Sequence, residues 1–147
     1  MIIQFIKTKI SKSSLIFLLL TAVLSMTVMS CNGAASDGVF VNKTVAECYT
    51  LISENQNNPD FIILDVRTPA EYTSGYIENA INLDYYEDDF EETLATYDKN
   101  KTYLIYCRTA NRTASVMKIM QRLEFTEVYN MQGGINAWKS AGYPVVS

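Results

Sequence analysis

Two stretches in the middle of this 147-residue chain leave few folds open to it. The run "FIILDV", residues 61–66, is aromatic and β-branched with no regular polar alternation. A strand of that kind is covered on both faces, as strands inside a parallel sheet are. The run "KTYLIYC", residues 101–107, reads as another strand.

Around these two, strand and helix signals alternate. "VFV" (39–41), "AINL" (80–83) and "EVYNM" (127–131) read as further short strands. A helix is predicted from Thr44 to Gln56, with Thr44 as N-cap and Glu47 three residues on, the pattern of a capping box. "TPAEYTSG" (68–75) is a short helical turn, capped by Thr68, opened by Pro69 and stopped by Gly75. The acid-rich stretch 86–98 predicts a helix with its acids at the favourable end of the dipole. Residues 111–123 and 133–142 read as two more helices, the second bounded by glycines. The alternation predicts an α/β fold in one domain, residues 39–147, with a parallel sheet and helices on both faces.

The N-terminal stretch reads differently. Lys7, Lys9 and Lys12 precede an uncharged, strongly apolar run from Ser13 to Ser30, the pattern of a secretory signal peptide. An uncleaved membrane anchor is the rival reading, since the run is near spanning length. "VMSC" (28–31) resembles the lipobox of bacterial lipoproteins, which implies cleavage before Cys31 and lipidation of its thiol. Residues 1–30 are then the signal and 31–38 a small polar tether. The domain is expected on a membrane of the cell envelope through its lipid anchor. From Cys31 onward nine bases face sixteen acids, a formal charge of −7. That balance disfavours nucleic-acid binding, which needs a basic stripe.

Two cysteines remain. Cys48 shares a helical face with Val45, Tyr49 and Ile52 and reads as a buried, inert residue. Its pairing with Cys107 is disfavoured, because the two thiols sit in different kinds of local structure. Cys107 follows a strand and precedes a helix, and ligands of parallel α/β sheets sit at such strand ends. A helix N-terminus presents unpaired N–H groups and a favourable dipole to an anion. Arg108 and Arg112 add positive charge nearby. Such surroundings bring a thiol from about 8.5 down to roughly 3.5–7.5. A nucleophile already held as an anion needs no general base. The chain contains no histidine, which excludes Cys-His proteases, Ser-His-Asp hydrolases and histidine-bearing metal sites.

Three stretches, "DVRTPAEYTSGYIENAINL" (65–83), "YCRTANRTA" (106–114) and "MQGGINAWKSAGYPV" (131–145), resemble the signatures of rhodanese-like sulfurtransferases, in the family's order. The resemblance implies a five-stranded parallel sheet flanked by helices and Cys107 as the carrier of sulfur in a persulfide. It departs at three positions. Tyr76 stands where family members often have histidine, and Asn79 and Ala110 where they often have glycine.

The implied reaction is attack of the Cys107 thiolate on the outer sulfur of a small anionic donor such as thiosulfate. A thiol, a protein thiol or cyanide then accepts the sulfur. The amides from Arg108 through Thr109, Ala110, Asn111 and Arg112 to Thr113 are expected to hold the anionic sulfur, with Arg108 and Arg112 attracting the donor. Asp65 either bonds loop amides, holds an arginine or caps its loop. Arg67 and Glu71, four apart, allow an ion pair worth about 0.2–0.5 kcal/mol and read as scaffold. Gly133 and Gly134 suggest a tight turn and Trp138 a packed helix. No metal and no organic cofactor is implied. A non-enzymatic module that binds a partner or stores sulfur is the rival reading. Cysteine phosphatase or arsenate reductase chemistry is disfavoured by loop length. Arg112 stands five residues after Cys107, where cysteine phosphatases have six.

Overall fold

A computed structural model describes residues 38–147; the expectations on the signal peptide and on Cys31 lie outside the described residues. Five strands form one sheet: β1 (Val39–Lys43), β2 (Phe61–Asp65), β3 (Ile81–Asn82), β4 (Thr102–Tyr106) and β5 (Glu127–Met131). All pair in parallel, in the spatial order β1-β5-β4-β2-β3. The helices are α1 (Val45–Glu54), α2 (Pro69–Thr73), α3 (Phe90–Ala95), α4 (Asn111–Arg122) and α5 (Gly134–Ser140). The predicted fold class is the observed one.

The central strand shows why the runs lack alternation. Tyr103 and Ile105 of β4 pack with Phe90 and Leu94 of α3 and Val116 and Met120 of α4. Leu104 and Tyr106 point to the other face, among Cys48 of α1 and Ile135 and Trp138 of α5. Leu64, Leu104 and Ile105 are fully buried. Each such side chain contributes roughly 1.5–3 kcal/mol to the core.

Local signals set the helix starts. Thr44 and Glu47 bond reciprocally as a capping box, and Thr68 and Glu71 form a second one ahead of Pro69. Two elements are shorter than expected. The acid-rich helix begins at Phe90 rather than at residue 86: Asp84 turns the chain by accepting the Tyr86 amide, and Tyr86 stays mostly exposed. Strand β3 keeps only Ile81 and Asn82, opposite Leu64 and Asp65. The departures from the family pattern also find their reason. Asn79 and Ala110 both adopt left-handed backbone, at φ 64° and 73°, a conformation that favours glycine. Tyr76 stacks on Tyr72 with ring centroids 4.0 Å apart.

Candidate active site

Strand β4 lies in the middle of the sheet, so Cys107 emerges at the centre of its carboxyl edge. Four residues, 107–110, then lead into α4. The left-handed Ala110 folds the loop back over the sulfur, and its amide donates to Cys107 Sγ at 3.2 Å. A non-glycine residue in that conformation stores roughly 1–2 kcal/mol of strain. Cys107 is only 1% exposed. Burial pushes its thiol up, but the amides of Thr113, Thr109, Arg112 and Ala110 outweigh burial and hold it below the ordinary thiol value. Thr113 is fully buried, and its hydroxyl ties back to the Ala110 carbonyl at 3.1 Å.

The loop is fixed from behind by the turn between β5 and α5. The Ile135 amide donates to the Cys107 carbonyl at 2.8 Å, and the Asn136 amide to the Arg108 carbonyl at 3.2 Å. Gly134, at φ 59°, allows this approach: a Cβ there would stand 2.4 Å from the Cys107 oxygen. Both carbonyls are thereby turned away from the sulfur while the amides face it.

The arginines act otherwise than expected. Arg112 bonds Glu71 through both terminal nitrogens, at 2.7 Å each. Its face lies 5.5 Å from the Tyr86 ring centroid. The Arg112 guanidinium, bonded to Glu71, holds that carboxyl down at about 2. Its charge is therefore partly countered at the site, though it still attracts the Cys107 thiolate, and the main support of the thiolate comes from amides of the loop and of the first turn of α4. Arg108 is exposed and makes no ion pair among the described residues. Glu71, Tyr86, Cys107, Arg108, Thr109, Asn111 and Arg112 line a depression of about 320 Å³ over the sulfur.

Asp65 and Arg67 stand beside this mouth without lining it. The expected Arg67–Glu71 pair does not form. Arg67 instead reaches Asp65, with Nε–Oδ1 2.9 Å and Nη2–Oδ2 2.6 Å, and both residues are buried. Its Nη2 also donates to the Gly75 carbonyl at 3.0 Å. The reason is strand geometry: Asp65 ends β2 and faces inward, whereas Glu71 opens outward from α2 to cap it and to meet Arg112. Breaking such a buried pair costs about 3–5 kcal/mol, far more than the surface pair it replaces. Asn82 of β3 bonds the carbonyls of Asp65 and Arg67, which ties the short strand to this knot. Cys48 is fully buried, unpaired with Cys107, and its thiol is pushed up to about 12 by burial.

Three participants escaped the sequence reading: Glu71 as the partner of Arg112, Tyr86 as a wall of the mouth, and Gly134 as the support of the loop. The sequence reading made Thr68 a cap and set Glu71 beside Arg67. Nothing local signalled an arginine 41 positions away.

Residues 46–141 match the description of the rhodanese-like domain family. A sulfurtransferase of Allochromatium vinosum is 31% identical over 88 residues, covering 60% of this chain and 80% of that protein. The thiosulfate sulfurtransferase GlpE of Coxiella burnetii is 33% identical over 81 residues, covering 55% of this chain and 74% of that protein. Among solved structures, the rhodanese-related protein from Thermoplasma volcanium superposes with a TM-score of 0.60 at 30% identity, over 71% of this chain and 96% of that one. The BH2092 protein from Bacillus halodurans shares the fold, with a TM-score of 0.62 at 20% identity over 92% of this chain and 86% of that one.

Proposed function

Because this chain belongs to the rhodanese-like domain family, we propose that it is a sulfurtransferase carrying sulfur on Cys107. The observation that supports this best is the Cys107 sulfur at the carboxyl end of β4, accepting the Ala110 amide at 3.2 Å beneath a loop whose amides lower its pKa. The thiolate attacks the outer sulfur of a sulfane donor. With thiosulfate a new Cys107 S–S bond forms, the donor S–S bond breaks, and sulfite leaves with the electron pair. A nucleophilic acceptor, a thiol or cyanide, then takes the outer sulfur and returns the thiolate. The amides that hold the thiolate also suit the anionic outer sulfur of the persulfide. Phosphate-ester hydrolysis is disfavoured by the same loop, whose arginine follows one residue sooner than in cysteine phosphatases and is engaged by Glu71.

The test is a mass spectrum after incubation with thiosulfate and removal of excess donor. One added sulfur on the peptide that contains Cys107, released by cyanide as thiocyanate, is the expected result. An unchanged mass with every sulfane donor tried overturns the proposal.

The thiol should also be ionised at lower pH than a free one. On a Cys48→Ala background, the rate of alkylation against pH should show a midpoint below about 8.5. A midpoint at or above that value contradicts the amide cradle. The linkage has a definite sign. Folding lowers this pKa, so the unfolded chain binds more protons between the two midpoints. The stability this group contributes is complete above the unfolded midpoint. It is lost as pH falls through the folded one.

The proposed location is a lipid-anchored one, resting on the "VMSC" stretch alone. Full-length protein made in a bacterium should partition into detergent and carry an acyl mass, and Cys31→Ala should do neither. Identical behaviour of the two proteins would remove lipidation from the proposal.

A further inference from the structure

The geometry points to a donor of single negative charge with an apolar body, selected against the thiosulfate dianion by the Glu71–Arg112 pair and Tyr86. This rests on the sulfur-carrier reading above and narrows its donor.

The charges at the mouth carry the argument. Both terminal nitrogens of Arg112 are bonded to Glu71, and the Tyr86 ring lies over its face. Glu71 thus takes the end-on fork of Arg112 and counters its charge, leaving an oxyanion only Nε–H and one N–H on each terminal nitrogen. Counting the thiolate, the mouth holds two negative groups, Cys107 and Glu71, against two positive ones, Arg108 and Arg112. An incoming dianion meets no net attraction and a carboxylate in the wall. Tyr86 itself is 66% exposed, an aromatic ring that lines the site. A ring left open beside a reactive sulfur offers an apolar surface to a donor's organic group.

The chemistry balances without a further reagent. The Cys107 thiolate attacks the outer sulfur of a thiosulfonate, R–SO₂–S⁻. The Sγ–S bond forms, the S–S bond of the donor breaks, and the sulfinate R–SO₂⁻ leaves with the electron pair. The persulfide stays on Cys107, and total charge is unchanged.

Three donors with this same leaving chemistry separate charge from shape: thiosulfate, methanethiosulfonate and benzenethiosulfonate. Glu71→Gln removes the carboxylate charge yet keeps an acceptor for the capping box at Thr68. It should raise kcat/KM for thiosulfate about tenfold and for methanethiosulfonate only about threefold, since the repulsion removed scales with donor charge. Tyr86→Ser, at an exposed position, should lower kcat/KM for benzenethiosulfonate about fivefold and leave methanethiosulfonate within about twofold. A merely structural role for Glu71 would lower all three donors together. If Glu71→Gln leaves the ratio of thiosulfate to methanethiosulfonate unmoved, or lowers thiosulfate use, the charge argument is overturned. If Tyr86→Ser affects the two thiosulfonates equally, the ring is no donor contact and that part falls. Should no donor of the three load Cys107 in the unmodified protein, the sulfur-carrier reading itself fails. Loading with an unmoved ratio sinks this inference alone.

Discussion

Gly134→Ala should destabilise the domain by about 2–5 kcal/mol and lower sulfur transfer by about a hundredfold or more. The added methyl would stand 2.4 Å from the Cys107 carbonyl oxygen and 2.7 Å from the carbonyl of Arg108, closer than real Cβ atoms approach. Backbone cannot yield as a flexible side chain can, because the same two carbonyls are bonded by the Ile135 and Asn136 amides. Relief requires the α5 start or the Cys107 loop to shift. A shift of the loop re-aims the amides at Sγ, which is how a lesion behind the site reaches the chemistry. Left-handed backbone alone costs less, and Gly142→Ala separates the two effects. Gly142 has φ 78° and nothing within 4 Å of an added Cβ, so its variant should show only about 1–2 kcal/mol of strain and full transfer. Urea unfolding and the persulfide assay read both quantities. Equal losses in the two variants would show that backbone conformation, not the approach to Cys107, makes Gly134 necessary.

Cys107→Ser should abolish sulfur loading, a loss of at least about 10³-fold, with stability nearly unchanged. Serine is close in shape, and its oxygen can accept from the same amides. A hydroxyl, however, stays protonated where the amides hold a thiol as thiolate, and it forms no persulfide. Among the described residues the one other thiol is a poor second source. Cys48 is fully buried on α1, and burial pushes its thiol up to about 12. Retained loading in Cys107→Ser, mapped to any other residue, would show that the wrong thiol has been assigned. A cooperative unfolding curve matching the parent confirms that the lost activity is chemical.

The contrast between these two positions marks where sequence reading succeeds. Cys107 was legible because its signals are local: an apolar run before it, polar residues after it, then a helical period. The capping boxes at Thr44–Glu47 and Thr68–Glu71 were legible or nearly so for the same reason, since their partners lie three residues apart. The sheet was legible as a class, because a strand covered on both faces cannot hide its composition. Gly134 was not. It reads as one half of a turn, and the carbonyl that forbids a methyl there belongs to a residue 27 positions earlier.

The sequence by itself determined the five strands, the parallel class, the helix starts apart from that of α3, and the placing of a thiol before a helix N-terminus. Each of these follows from backbone preferences and from periodicity over a few residues. Only the tertiary structure decided how the charges pair. Arg67 turned to Asp65 because the end of β2 buries both, and Arg112 turned to Glu71 because β4 lies beside β2 in the sheet order. That order brings α2 and the loop before α4 to one edge, and no local pattern encodes it. An arginine near a cysteine in sequence suggests a charge that stabilises the thiolate. In the folded protein that charge is shared with a carboxylate, and backbone amides do most of the holding.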